Sequence, residues 1–269
     1  MGLPVIVYRN ILASASLTAS GTASEFTLTD LRDRRSFTVW KAAATTSPQW
    51  IQGDVGVGGM DADCLLVVNH NGVANAGQIK VYADTVDPPV AVAQAAYTPT
   101  SDAVEYKAFT LLTAKRYWRV EFSDPAAPFT AAPFAGEILL GKRITLTEYV
   151  NADIDPFLKH KAFRTQNNDS GHYLGGIKQG VRRRGVLHFG GDAGVARSLY
   201  TSDLNDFIDN HAEERFPFGF VYDPDDTDFD TPIWVRVPDD GQVDRMPVGG
   251  TTARFFVSLP IMEAQMDQA

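Results

Sequence analysis

Apolar residues fall at every second position in Gln78-Ile79-Lys80-Val81-Tyr82-Ala83 and in Arg116-Tyr117-Trp118-Arg119-Val120-Glu121-Phe122. That spacing predicts half-exposed β-strands. Cys64-Leu65-Leu66-Val67-Val68 is unbroken and apolar, the pattern of a strand buried on both faces. It follows Gln49-Trp50-Ile51-Gln52-Gly53-Asp54-Val55-Gly56 across a glycine-bearing turn. Trp50 is expected in the core, and Asp54-Val55-Gly56 is expected to end that strand. Asn69-His70-Asn71-Gly72 reads as a turn through its Asn-Gly pair. Shorter β-prone pieces lie at Val5–Tyr8, Phe26–Leu28, Ser36–Trp40, Tyr106–Leu112 and Gly136–Gly141, and Leu31–Arg35 reads as a loop or single helical turn. Pro88, Pro89 and Pro99 make 84–104 an irregular excursion. With no helical period before residue 145, the first half is predicted to be an antiparallel sandwich.

The composition shifts at 142–152, which sets a boundary between domains 1–145 and 146–269. Strands are expected at Lys159–Thr165, Tyr173–Lys178, Val181–Phe189, Phe216–Tyr222, Ile233–Val237 and Arg254–Ile261. The one predicted helix is Asp203–Glu214, where Leu204, Phe207, Ile208 and His211 share a face at i, i+3, i+4 and i+7. Ser202 is its expected N-cap, with Asp203 and Asp206 at the positive end of the helix dipole. The fold class is all-β: two β-sandwiches, the second carrying one helix.

A chain of 269 residues has length for roughly one or two domains. A formal net charge of −9 argues against specific nucleic-acid binding and against an anionic membrane surface. Cys64 is the only cysteine, so no internal disulfide framework exists, and its apolar setting makes it a buried, inert thiol. The N-terminal stretch has no basic region before a short apolar run, and position 6 is Ile, so neither a signal peptide nor myristoylation is expected. No apolar run reaches about 18 residues, so no membrane insertion is expected. A soluble, cytoplasmically made product is the expectation.

Asp223, Asp225, Asp226, Asp228 and Asp230 place five carboxylates within eight residues, the ligand type Ca²⁺ takes. The loop lacks the glycine and the closing glutamate of an EF-hand, having Asp228 and Trp234 there, and a solvated turn or interface patch is the simpler reading. Arg182-Arg183-Arg184 is the one basic run. On a strand its side chains alternate between faces, which favours ion pairing between subunits, with Asp225 and Asp226 as acidic counterparts, over a nucleic-acid patch. The five histidines show no zinc spacing, and there is no nucleophile elbow or phosphate loop. No cofactor and no enzymatic activity are therefore expected. Trp40 and Tyr97 are candidate platforms for stacking on a sugar, although a tryptophan is more often core.

Trp50-Ile51-Gln52-Gly53-Asp54-Val55-Gly56, the strand 64–68, Ile79–Tyr82, Arg116–Val120 and Glu137-Ile138-Leu139-Leu140-Gly141 together resemble, in order and spacing, the discoidin-like (galactose-binding-like) jelly roll over residues 5–145. Val55 stands where that pattern has Leu, and the paired cysteines of extracellular members are absent. The strand with Gly180-Val181-Arg182-Arg183-Arg184, the helix, Phe216-Pro217-Phe218-Gly219-Phe220 and the closing strand resemble the tail-tube-like sandwich of bacteriophage tail-tip proteins. The pairing implies a distal or minor tail protein of a siphophage. Such a protein forms a homo-oligomeric ring on the virion tail, beside the tail tube, hub and tape measure proteins. The alternative it implies is a carbohydrate-binding adhesin module for host-surface glycans.

Overall fold

The computed structural model describes residues 3–125, 128–146, 159–167, 173–189, 195–196, 199–225, 232–248 and 254–264. In chain order the first strands are β1 (Val5–Val7), β2 (Ser16–Ala19), β3 (Trp40–Lys41), β4 (Gln49–Asp54), β5 (Met60–His70), β6 (Gln78–Asp84), β7 (Val92–Tyr97), β8 (Val104–Lys115), β9 (Tyr117–Ser123), β10 (Phe134–Gly141) and β11 (Ile144–Thr145). They are followed by β12 (Lys159–Asn167), β13 (Tyr173–Phe189), β14 (Val195–Ala196), β15 (Phe218–Val221), β16 (Ile233–Arg236), β17 (Asp244–Val248) and β18 (Arg254–Glu263). Among the described residues the architecture is all-β, with short 3-10 turns at Ile11–Ala13 and Leu28–Arg32 and one longer helical run from Tyr200 to Ala212. The chain forms two compact units: Met1–Thr145 with Phe218–Trp234, and Leu146–Pro217 with Val235–Ala264.

In the first unit a four-stranded sheet, β3-β10-β5-β8, faces a five-stranded one, β2-β4-β9-β6-β7, in a jelly-roll-like antiparallel sandwich. Alternation decides which side chains meet between them. Ile51, Ile79, Val81, Trp118, Val120 and Phe122 come from one sheet, and Leu65, Val67, Ile138 and Leu140 from the other. Trp40 joins this core, its ring 6.2 Å from that of Phe122.

Trp50 does not join it. Ile51 takes the inward position on β4, and Trp50 lies half-buried on the outer face with the Arg119 guanidinium 4.6 Å from its ring centre. The strand is as expected, but its inward parity is the opposite one. A second expectation also fails: β7 lies inside the segment read as irregular. Its prolines fall outside the strand itself, so β7 pairs with β6 and closes the five-stranded sheet as an edge. Ser36–Val39 is a turn rather than strand, and only Trp40–Lys41 pairs with β10.

Strand β5 is buried on both faces, as its unbroken apolar run requires. Leu65 and Val67 point into the sandwich. Leu66, with Cys64 and Val68 on the same face by alternation, points the other way. There β15 lies so close that a Cβ on Gly219 would come within 2.8 Å of Leu66. Phe218, Phe220 and Val221 of β15 are buried, β15 pairs with β1, and β1 pairs in turn with β11. A strand from the second half of the sequence thus completes the first unit. Burial pushes the Cys64 thiol well above its usual range, which keeps it protonated and unreactive.

In the second unit β18 pairs along its length with β13, β14, β16 and β17, and β12 pairs with β13. The helix is wound unusually: Tyr200–Leu204 and Ile208–Ala212 are π-helical around an α-helical turn, Asn205–Phe207. Leu204, Phe207, Ile208 and His211 are buried, as their spacing predicts. Ser202 is not the N-cap. Helical backbone already runs through Leu199, and the Ser202 hydroxyl bonds back to the Leu199 carbonyl at 3.4 Å. Arg245 of β17 holds the helix through Asp209, at 2.5 Å, and Glu213.

Gly136 of β10 lies against the Ser36 carbonyl oxygen, 2.4 Å from where a Cβ would stand. That oxygen also accepts from Asn69 Nδ2 at 2.7 Å, so it is pinned. Gly136→Ala is expected to destabilise the protein by about 1–3 kcal/mol, the usual range for overpacking. Chemical denaturation monitored by tryptophan fluorescence checks this, and an unchanged midpoint refutes it.

Candidate functional site

Between Tyr97 and Val104 the chain crosses from the five-stranded sheet to β8, the edge of the four-stranded sheet. The crossover is tied to the β5–β6 loop. Asp102 accepts from the amides of Val73 (2.6 Å) and Ala74 (3.1 Å), and its carbonyl accepts from the His70 amide at 2.8 Å. His70 Nδ1 accepts from the Gly72 amide at 3.0 Å, which places the ring proton on Nε2. Burial drives the His70 pKa down to about 4, so its 3.6 Å approach to Asp102 is not an ion pair at neutral pH. Asn71 and Asn75 extend the ties: Asn71 bonds Ala132 and Phe134, and Asn75 bonds Thr130 and Ala131.

The fixed crossover walls a cleft of about 780 Å³ along β8. Tyr97, Thr98, Thr100, Ser101 and Val104–Ala108 line it. Leu3, Val5, Arg143, Thr145, Pro224, Asp225 and Pro232 complete it. Glu105 is only 6% exposed. Its Oε2 accepts from the Thr100 amide (2.9 Å), the Thr100 hydroxyl (3.1 Å) and the Ser101 amide (3.3 Å). Burial raises its pKa, and these hydrogen bonds pull the other way. Lys107, two residues along the strand, holds its ammonium 5.2 Å from the centre of the Tyr97 ring. Arg143 is committed elsewhere, to Asp63 at 3.4 Å and to the Tyr106 hydroxyl at 3.1 Å. The Tyr97 hydroxyl is buried with no hydrogen-bond partner among the described residues.

The candidates read from sequence are scattered. Tyr97 lines the cleft, with its ring beneath Lys107. Trp40 is 0% exposed, its indole nitrogen donating to the Thr22 hydroxyl at 3.0 Å, so no face of it is open to a sugar. Asp223 is buried and accepts from the Asp225 amide at 3.0 Å, while Asp225 is exposed at the cleft. Asp226, Asp228 and Asp230 lie outside the described residues, among which no cluster of metal-ligating side chains forms. Arg182, Arg183 and Arg184 lie on β13, opposite His160, Lys159 and Met262. Sequence reasoning missed Glu105 and Lys107. The available signal was an acid and a base two apart on a strand, just after a Thr-Ser turn able to donate to the acid.

No family model matches the chain, and no curated protein matches it. Among solved structures it is similar to chitosan-binding module 1 of a chitosanase/glucanase from Paenibacillus sp. IK-5, with 20% identity over 49% of this chain and 98% of that one and a TM-score of 0.41. It is similar also to the lectin domain of lectinolysin complexed with Lewis B antigen, with 20% identity over 51% and 98% and a TM-score of 0.42. A third is a module from Clostridium perfringens in complex with GalNAc-β-1,3-galactose, with 12% identity over 50% and 99% and a TM-score of 0.41.

Because the folded-state pKa of His70, about 4, lies below its ordinary 6.5, the folded protein binds this proton less readily than the unfolded chain. Its contribution to stability is complete above pH 6.5 and is lost as pH falls through the window from 6.5 to about 4. The His70 ring resonances are expected not to titrate above pH 5 in NMR spectra. A midpoint near 6.5 in the folded protein refutes this placement.

Proposed function

We propose that the first unit binds carbohydrate in the cleft along β8. The observation that carries this reading is the character of the lining. Tyr97 and Tyr106 rings stand beside hydrogen-bonding groups whose positions are fixed by their own partners, in a cavity whose volume suits a small ligand. Fixed donors and acceptors around a roomy polar cleft match a ligand rich in hydroxyls better than an apolar one. The role is recognition without turnover, as the resemblance of residues 5–145 to the discoidin-like jelly roll also implies.

A second reading is the ring subunit of a siphophage tail tip, located on the virion tail and contacting tail tube, hub or tape measure proteins. The sheet with one packed helix in the second unit favours it, being the plan that reading expects. The net charge of −9 suits a lumen that DNA traverses without being retained. The two readings are compatible, since a ring subunit can carry a glycan-binding unit.

On a glycan array the purified chain is expected to give specific binding, weakened tenfold or more by Ala108→Trp, which adds bulk to the cleft lining. Absence of binding to every glycan overturns the carbohydrate reading. Light scattering across concentration is expected to show closed oligomers for the ring reading, and a strict monomer, alone and with the neighbouring tail proteins, overturns it.

A further inference from the structure

Strand register in the second unit gathers charge that is dispersed along the sequence. Among the described residues β12 pairs with no strand but β13, and β18 takes up β13 only from Arg184 onward. Lys159–Asn167 and residues 173–183 therefore run as a two-stranded ribbon with no third strand. Alternation divides Arg182, Arg183 and Arg184 between the two faces of a strand, which by itself breaks up a basic patch. Pairing restores it. Lys159 stands opposite Arg183, with Lys161 two residues on, so one face collects all three. His160 stands opposite Arg182, and Arg184 is two residues along from Arg182, so the other face is basic as well. Arg164 and Lys178 add two further cations, and β12 and β13 together contain no Asp or Glu.

Such a ribbon lacks support of its own. Two strands without a third are marginal in water, and a cation directly opposite a cation is destabilising. Lys159 against Arg183 is the plainest case. A partner bringing closely spaced negative charge removes both costs. Duplex DNA carries one charge per about 1.7 Å of axis, and its major groove, about 12 Å wide, admits a two-stranded ribbon. Gly175, Gly176 and Gly180 keep the ribbon slim where another backbone would come close. The net charge of −9 does not oppose this, because carboxylates more than about 8 Å away are largely screened at physiological salt. An acidic patch on a folded protein engages one face of a ribbon, whereas a groove encloses both, and here both are basic. We infer that the β12–β13 ribbon binds duplex DNA through its phosphates, without regard to base sequence.

The test is fluorescence anisotropy of the full chain with a labelled DNA duplex of about 20 base pairs, two helical turns, across a salt series. The cations of the ribbon predict binding at low salt whose logarithm falls against log salt with a slope of about −3 to −6. Lys159→Gln, Lys161→Gln and Arg183→Gln together are expected to weaken binding tenfold or more and to reduce that slope by about 2–3. The same triple substitution is expected to raise the thermal midpoint of the free protein, since the opposed charges are gone. Polyglutamate at matched charge, the probe for an acidic protein, is expected not to displace the duplex. No binding at low salt, a slope shallower than about −2, or binding indifferent to the triple substitution overturns the inference. Displacement by polyglutamate overturns it too, and assigns the ribbon to an acidic protein. Should the triple variant fail to fold, the slope of the parent chain and the polyglutamate competition carry the test. None of these outcomes bears on the cleft of the first unit.

Discussion

A strand that must be covered twice governs the first unit. β5 carries seven consecutive buried residues from Ala62 to Val68, and alternation sends them in opposite directions. Leu65 and Val67 are covered by the five-stranded sheet, while Leu66 and its same-face neighbours need a second cover. Each such side chain is worth about 1.5–3 kcal/mol when fully buried, so neither face can be left open in a marginally stable domain. β15 supplies the second cover, with Gly219 admitting the Leu66 side chain where any larger residue would push it away. The placing of β1, which pairs with β15, and of β11, which pairs with β1, follows from that requirement.

The cleft is a by-product of the same arrangement. β8 is the edge of its sheet, so its outer side is lined by what flanks it: the crossover on one side, and β1 with the turn after β15 on the other. The crossover keeps its shape because Glu105 accepts from the amides of Thr100 and Ser101, while its own Asp102 accepts from the amides of Val73 and Ala74 in the β5–β6 loop.

Much of this fold was legible in the sequence. Period-two alternation located β6 and β9, the unbroken run located β5, and the i, i+3, i+4, i+7 spacing found the buried face of the helix. Where reading failed, local pattern was ambiguous or was outweighed. Trp50 and Ile51 are adjacent and both apolar, so the pattern alone does not say which turns inward; in the fold Ile51 joins the core and Arg119 packs on the outward indole. Prolines beside β7 argue against a strand, yet an edge strand bordered by them costs the sheet nothing. Of the site, Tyr97 was named from the sequence as a stacking candidate; in the fold it lines the cleft half-buried, packed against the sandwich core with Lys107 over its ring. Glu105 and Lys107 were not, because a charged pair on an alternating strand looks like any solvated face. Only the return of the Thr100–Ser101 turn over the carboxylate marks it out, and that turn's position is a tertiary fact.

The continuity of the first unit in space contrasts with its interruption along the chain. Residues 3–145 hold both sheets of the sandwich, yet the cover over Leu66 arrives only at Phe218. A fragment cut at residue 145 would carry a complete set of sandwich strands and still expose an apolar strip along β5, with β1 deprived of one of its two neighbours. Such a piece would be sticky rather than unfolded. Synthesis from the ribosome meets the same situation, since the sandwich emerges more than seventy residues before the strand that seals it. During that interval the strip along β5 has no cover from its own chain.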